Sequence, residues 1–162
     1  MIPNQNDMKT KPIPDGFASA IPYLICKDAA QAIEFYKRAF GATEHERIAM
    51  PDGRVGHAEL KIGGATIMLA DEFPDMGTVS PQSLGGTTVR MMVYVADVDA
   101  FAAHAAAAGA KVLSPPADQF YGDRNCKLSD PYGHVWMFGS HIEDVSREEI
   151  RKRAAALFGG KN

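Results

Sequence analysis

In the stretch RVGHAELKI an imidazole and a carboxylate stand two residues apart, at His57 and Glu59. On a strand this spacing puts both side chains on one face. There they can work as an acid and base pair or supply two of the ligands a divalent metal needs. The same spacing suits a hydrogen-bonded polar patch or an ion pair from Glu59 to Lys61, and two donors do not by themselves make a metal site. A second anomaly is Arg90, a guanidinium inside the apolar run VRMMVYV. Pointing inward it requires an anion, from Glu59 or from a ligand, because an unpaired charge is costly to bury. His134, opposite Ser129 across a hairpin, reads as a structural contact, as do His104 on an Ala-rich helix and His141 at a strand end. Trp136 reads as core.

The element carrying His57 and Glu59 is a hairpin, Arg54 to Ile62 and Ala65 to Ala70, joined through Gly63-Gly64. A two-residue loop sets 61 opposite 66, 59 opposite 68 and 57 opposite 70, and opposed residues share a face. One face is then Ala58, Leu60, Ile62, Ala65, Ile67 and Leu69, apolar throughout and suited to lie on helices. The other is His57, Glu59, Lys61, Thr66, Met68 and Ala70, which is either solvated or the lining of a cavity.

Around the hairpin the chain repeats itself. Ile21 to Ala42, IPYLICKDAAQAIEFYKRAFGA, reads as a strand entering a helix. Asp28 caps it, Gln31 reaches back, Gly41 supplies a left-handed exit, and Ala29, Ala32, Ile33, Tyr36, Ala39 and Phe40 form its apolar stripe. VRMMVYVADVDAFAAHAAAAGAKV follows the same grammar, with Asp97 in the place of Asp28 and Gly109 in that of Gly41. A repeat this long predicts a duplicated supersecondary module. The first module continues with a strand from Thr43 to Met50 and a turn at Met50-Pro51-Asp52-Gly53. The second continues with Ala110 to Leu113, a break at Pro115-Pro116, and strands at Asn125 to Ser129 and His134 to Ser140 around the turn Asp130-Pro131-Tyr132-Gly133. Ser146 and Glu149 open a terminal helix. The expected organisation is a flexible arm over 1–16, one domain over 17–142 with modules at about 17–70 and 88–142 and a linker at 71–87, and a C-terminal helix over 143–162.

Composition narrows the partners. With 162 residues and 46% apolar content the chain can bury one core. A net charge of −3, with no basic run beyond Arg151-Lys152-Arg153, argues against nucleic acid. Cys26 and Cys126 form neither a disulfide framework nor a CxxC motif and read as reduced thiols. No stretch has the make-up of a signal peptide or approaches membrane-spanning length, so no membrane partner and a cytoplasmic location are expected.

Two βαβββ modules in tandem, with IPYLICKDAAQAIEFYKRAFGA, DGRVGHAELKIGGATIMLADE, LSDPYGHVWMFGSHIEDVS and REEIRKRAAALF, resemble the vicinal oxygen chelate superfamily of glyoxalases, bleomycin-resistance proteins and dioxygenases, with the PhnB-like branch nearest. The resemblance covers roughly 18–158 and implies an α+β fold whose mixed sheets form a concave cavity. In metalloenzymes of that superfamily four strands each offer one ligand, and the matching positions here are Ile21, Met68, Arg90 and Met137. None is an ordinary ligand for a divalent metal, so the expectation is no metal cofactor. The alternative is a lyase, isomerase or dioxygenase holding nickel, zinc or iron through His57 and Glu59. On the resemblance, Tyr23, Met92 and Tyr94 share the cavity parity with Met68 and Met137, and His57 and Glu59 join them. Such a lining suits a planar or amphipathic small molecule, an anionic one if Arg90 holds it, in a homodimeric or pseudo-symmetric protein.

Overall fold

The computed structural model describes residues 10–159. Strand β1 (Tyr23–Cys26) enters helix α1 (Ala29–Phe40), and β2 (Thr43–Ala49), β3 (Val55–Ile62) and β4 (Ala65–Asp71) follow. After a 3-10 turn at Pro74–Met76 and a short helix α2 (Pro81–Leu84), the order recurs as β5 (Arg90–Tyr94), α3 (Val98–Ala107), β6 (Lys111–Asp118), β7 (Asp123–Ser129) and β8 (Val135–His141). Helix α4 (Arg147–Phe158) comes last. Each module closes its own four-stranded sheet, ordered β1-β4-β3-β2 and β5-β8-β7-β6. The β1/β4 and β5/β8 pairs are parallel and the others antiparallel, so the fold is α+β with tandem βαβββ units.

Local chemistry accounts for these elements. The Asp28 carboxylate accepts from the Gln31 backbone N–H at 3.0 Å, and Asp97 accepts from Ala100 at 3.0 Å, each satisfying a free donor of a first turn. The Gln31 side chain donates to the Asp28 carboxylate rather than reaching the cap backbone. Gly41 ends α1 at a φ of 66°, where a side chain would be strained. The Gly63-Gly64 hairpin has the expected register, with Glu59 opposite Met68 and Lys61 opposite Thr66. Ala58, Leu60, Ile62, Ile67 and Leu69 are buried, while Ala65, at the strand start, is exposed.

Three expectations are corrected. Pro115-Pro116 does not break the strand: β6 runs through it to Asp118 with a register shift between Ser114 and Ala117. An edge strand with a bulge tolerates prolines because the lost N–H faces no neighbour. His134 does not face Ser129. Asp130 N–H donates to the His134 carbonyl at 3.0 Å, which closes a three-residue loop and sets Ser129 opposite Val135. Part of the 71–87 linker is ordered: Asp71 ends β4, Phe73 and Thr78 form a bridge, and α2 is capped by Ser80. Of the expected 1–16 arm, residues 1–9 lie outside the described residues, as do 160–162 of the terminal segment.

The two sheets share one core through their helices. Helix α1 packs on the first sheet, α3 on the second, and the helices touch. Tyr36 lies 5.5 Å from Trp136 and Phe40 4.9 Å from Phe138, measured between ring centroids, distances at which aromatic pairs add to the burial of their area. Polar links run through the same seam. The buried Asp130 carboxylate accepts from the Tyr36 hydroxyl, the Trp136 indole and the backbone of Tyr132 and His134. His134 Nε2–H donates to the Ile25 carbonyl at 3.0 Å, and His104 Nε2–H to that of Arg38 at 2.8 Å. Because the helical faces of both sheets are used here, the opposite faces turn outward, and Tyr23, Met92 and Tyr94 remain 47%, 41% and 59% exposed.

His134 gives a testable pH dependence. Burial pushes its imidazole below the ordinary value, outweighing Asp130 and the Ile25 carbonyl, which act the other way. Below about pH 6.5 the unfolded chain therefore binds a proton that the folded chain resists, and stability falls as pH drops. Urea midpoints at pH 7.5 and 5.5 should show this loss, and His134→Gln should diminish it.

Gly122, before β7, anchors the tail. Its carbonyl accepts from the Ile142 and Glu143 backbone, its φ is 98°, and an added Cβ would meet the Glu143 carbonyl. We expect Gly122→Ala to cost about 3 kcal/mol, read from chemical denaturation.

Candidate functional site

On the outward face of the first sheet, β1 sets Tyr23 opposite Met68 of β4, which is opposite Glu59 of β3. His57, one outward position along β3, joins the row. Its Nδ1 is 2.9 Å from the Tyr23 hydroxyl and its Nε2 is 3.4 Å from Glu59 Oε1. The carboxylate can only accept, so Nε2 carries the proton toward Glu59 and Nδ1 of the neutral ring accepts from the Tyr23 O–H. Lys61 donates to Thr66 Oγ1 at 2.7 Å and forms no ion pair with Glu59. Partial burial raises the Tyr23 phenol above the ordinary tyrosine value. A cavity of about 600 Å³ opens beside it, lined by Ile25, Met50, Ala70, Phe73 and Met76, and Tyr23 is its ionisable wall group. The Arg54 guanidinium lies 4.3 Å from the Phe73 ring centre. Tyr23 also borders a cavity of about 720 Å³ between the free edge of β1 and residues 79–91, which His134 lines from the second module.

The outward face of the second sheet has a different character. Arg90, Met92 and Tyr94 stand on β5, Met137 and Gly139 on β8, and Asn125 and Lys127 on β7, in rows Met92–Met137–Lys127 and Tyr94–Gly139–Asn125. Gly139 leaves room for its neighbour, since an added Cβ would sit 2.7 Å from the Met92 methyl. Tyr94 donates to Asp123 Oδ2. Asp123 and Asp144 accept from the two ring nitrogens of His141 at 2.8 and 2.9 Å, and these carboxylates raise the His141 imidazole above its ordinary value. With its proton committed to Asp123, the Tyr94 oxygen presents lone pairs outward. Arg90 and Lys127 have no ion-pair partner among the described residues, so this face carries two uncompensated cations above a thioether floor.

Sequence reasoning placed Tyr23, His57, Glu59, Met68, Arg90, Met92, Tyr94 and Met137 together in one cavity lining, whereas the structure sets the first four on the outward face of the first sheet and the other four on that of the second. It missed Lys127, Asn125 and the Asp123–His141 pair. The DPYG loop held the signal: pairing 130 with 134 puts Lys127 opposite Met137. The incorrect partner for His134 shifts β7 by one residue and turns Lys127 to the wrong face.

The family model of the Glyoxalase/Bleomycin resistance protein/Dioxygenase superfamily matches residues 17–138. The chain belongs to that superfamily. Uncharacterized protein Mb0911c of Mycobacterium bovis is 44% identical over 133 residues, covering 80% of this chain and 88% of its own. Uncharacterized protein At5g48480 of Arabidopsis thaliana is 32% identical over 130 residues, covering 72% and 76%. Among solved structures, TioX from Micromonospora sp. ML1 superposes with a TM-score of 0.60 at 27% identity, covering 80% of this chain and all of that one.

Within this superfamily member, the donor chemistry at Ile21, Met68, Arg90 and Met137 does not fit a divalent metal. One side chain is a hydrocarbon, two are thioethers and one is a fixed cation that would repel the ion. No group of three or more His, Cys, Asp or Glu side chains placed to hold a metal occurs among the described residues. At His57 both ring nitrogens already have partners, so a metal there would displace Tyr23 or Glu59. Among the described residues no helix is long and apolar enough to cross a membrane.

Proposed function

We propose that this glyoxalase-superfamily protein binds a small, planar or amphipathic organic anion on its outward sheet faces, without a metal. The observation that carries the reading is Arg90 and Lys127, without ion-pair partners among the described residues, on the same face as Met92, Met137 and Tyr94. Thioethers and a phenol accept a flat apolar body through polarizable contacts, and a guanidinium fixes a carboxylate or phosphate at its edge. The exposure of Tyr23, Met92 and Tyr94, together with the unpaired edges of β1 and β5, supports a homodimer in which a second copy covers these faces.

Calorimetric titration with 2-naphthoate and with the neutral 2-naphthamide tests the reading. The acid should bind at least about tenfold more tightly, the worth of one charge-assisted hydrogen bond, and equal affinity would refute the anion site. Light scattering of the same sample should give twice the chain mass, and a monomer would remove the second copy from the account. The reading in which His57 and Glu59 hold nickel, zinc or iron in a lyase, isomerase or dioxygenase makes the opposite forecast. Protein purified without chelator would then carry stoichiometric metal that His57→Ala loses.

A further inference from the structure

We infer that Tyr23, His57 and Glu59 form a proton relay and that Tyr23 moves a proton to and from a molecule seated in the cavity beside it. The inference rests on the proposed ligand binding and adds a reaction to it. Three observations carry it: the ordered contacts at 2.9 and 3.4 Å, the position of the three groups relative to the cavity, and the apolar character of the cavity itself.

The order of the contacts is that of a hydroxyl, a base and an orienting carboxylate. Tyr23 borders the cavity, whereas His57 and Glu59 stand behind it, with side chains 25% and 18% exposed. Only the phenol touches a ligand there, and the other two act through it as positioning residues. Ala70 makes the reach possible. It lies on β4 paired with Ile25, two residues from the Tyr23 partner Met68 on the same outward parity, so that Tyr23 reaches His57 diagonally past a small side chain. Asp15, Gly16 and Phe17 line a small space beside Glu59.

The proton accounting follows from the tautomer. A ligand O–H, or a C–H next to a carbonyl, gives its proton to the Tyr23 oxygen as the Tyr23 proton passes to His57 Nδ1. The C–H or O–H electron pair stays on the ligand as an enolate or phenolate. His57 becomes imidazolium beside the Glu59 carboxylate, which holds the new charge. Reversing the step at a different ligand atom gives a tautomer, and no oxidant, reductant or metal enters the balance. The raised Tyr23 phenol keeps its proton through neutral pH, as the relay requires. Ile25, Met50, Phe73 and Met76 favour an apolar or aromatic body, so the class of substrate is an enolisable aromatic or hydrophobic carbonyl compound.

Phenylpyruvate in D₂O tests this with the full chain. Proton NMR reads the loss of its benzylic protons by exchange, and saturation transfer from protein to phenyl ring reads binding in the same sample. The expected result is exchange at least about a hundredfold faster than in buffer. Tyr23→Phe should return it to near the buffer rate with saturation transfer retained. His57→Gln should likewise lose most of the acceleration, and Glu59→Gln part of it, with saturation transfer retained in both. Saturation transfer without accelerated exchange, or full exchange in Tyr23→Phe, overturns the relay and leaves binding intact. Absence of saturation transfer refutes binding at this cavity and the relay with it.

Discussion

Asp130→Ala is expected to be the most destabilising single substitution considered for this chain. The carboxylate is 4% exposed and accepts four hydrogen bonds, at 2.7 Å from Tyr36, 2.9 Å from Trp136, and 2.9 Å from each of the Tyr132 and His134 amides. Truncation leaves buried donors on both modules without partners and opens a void between two large aromatic side chains. The expected loss is about 3–5 kcal/mol, a fall in Tm of roughly 6–20 °C for a chain of this size. Asp130→Asn keeps the shape and one acceptor oxygen and should lose less. Differential scanning calorimetry measures both, and a change in Tm of under about 2 °C for the alanine variant would show that the module seam does not depend on this residue.

Arg90→Gln carries the second large effect, on binding rather than stability. Arg90 is exposed at the start of β5, so its removal should leave Tm close to the parent value. The loss of a charge-assisted contact of about 1.5–3 kcal/mol should weaken 2-naphthoate by about tenfold to a hundredfold. Lys127→Gln should have a smaller effect, because an ammonium on a flexible stem lacks the planar fork of a guanidinium. Unchanged affinity in both variants would place the anion elsewhere.

Much of the frame was legible in the sequence because it is encoded locally. Asp28 and Asp97 mark helix starts, Gly41 marks an exit, and Gly63-Gly64 fixes a hairpin whose register puts Glu59 opposite Met68. Strand parity, read on the family resemblance, then put Tyr23, Met92 and Tyr94 on the faces of Met68 and Met137, which the structure turns outward. What was not legible depends on contacts between distant segments. Asp130 reads in sequence as a turn residue, and only the approach of α1 to the β7–β8 loop makes it the acceptor for Tyr36. The Tyr23 to His57 contact runs diagonally across β4, past the small side chain of Ala70. Lys127 was hidden by a one-residue error at the DPYG loop, which inverts a strand's faces. Pro115-Pro116 signalled a break that an edge position with a bulge could absorb.

The central claim, an organic anion held on the second sheet's outward face, is tested most directly by methyl NMR. Protein labelled with ¹³C at the methionine methyl groups reports separately on Met92 and Met137, which share a row with Lys127 and stand beside the row that Arg90 begins. Titration with 2-naphthoate should shift these two resonances through ring-current contact, and Arg90→Gln should suppress the shifts at the same concentration. Resonances of Met92 and Met137 that stay fixed throughout the titration, or move equally in Arg90→Gln, would contradict the account.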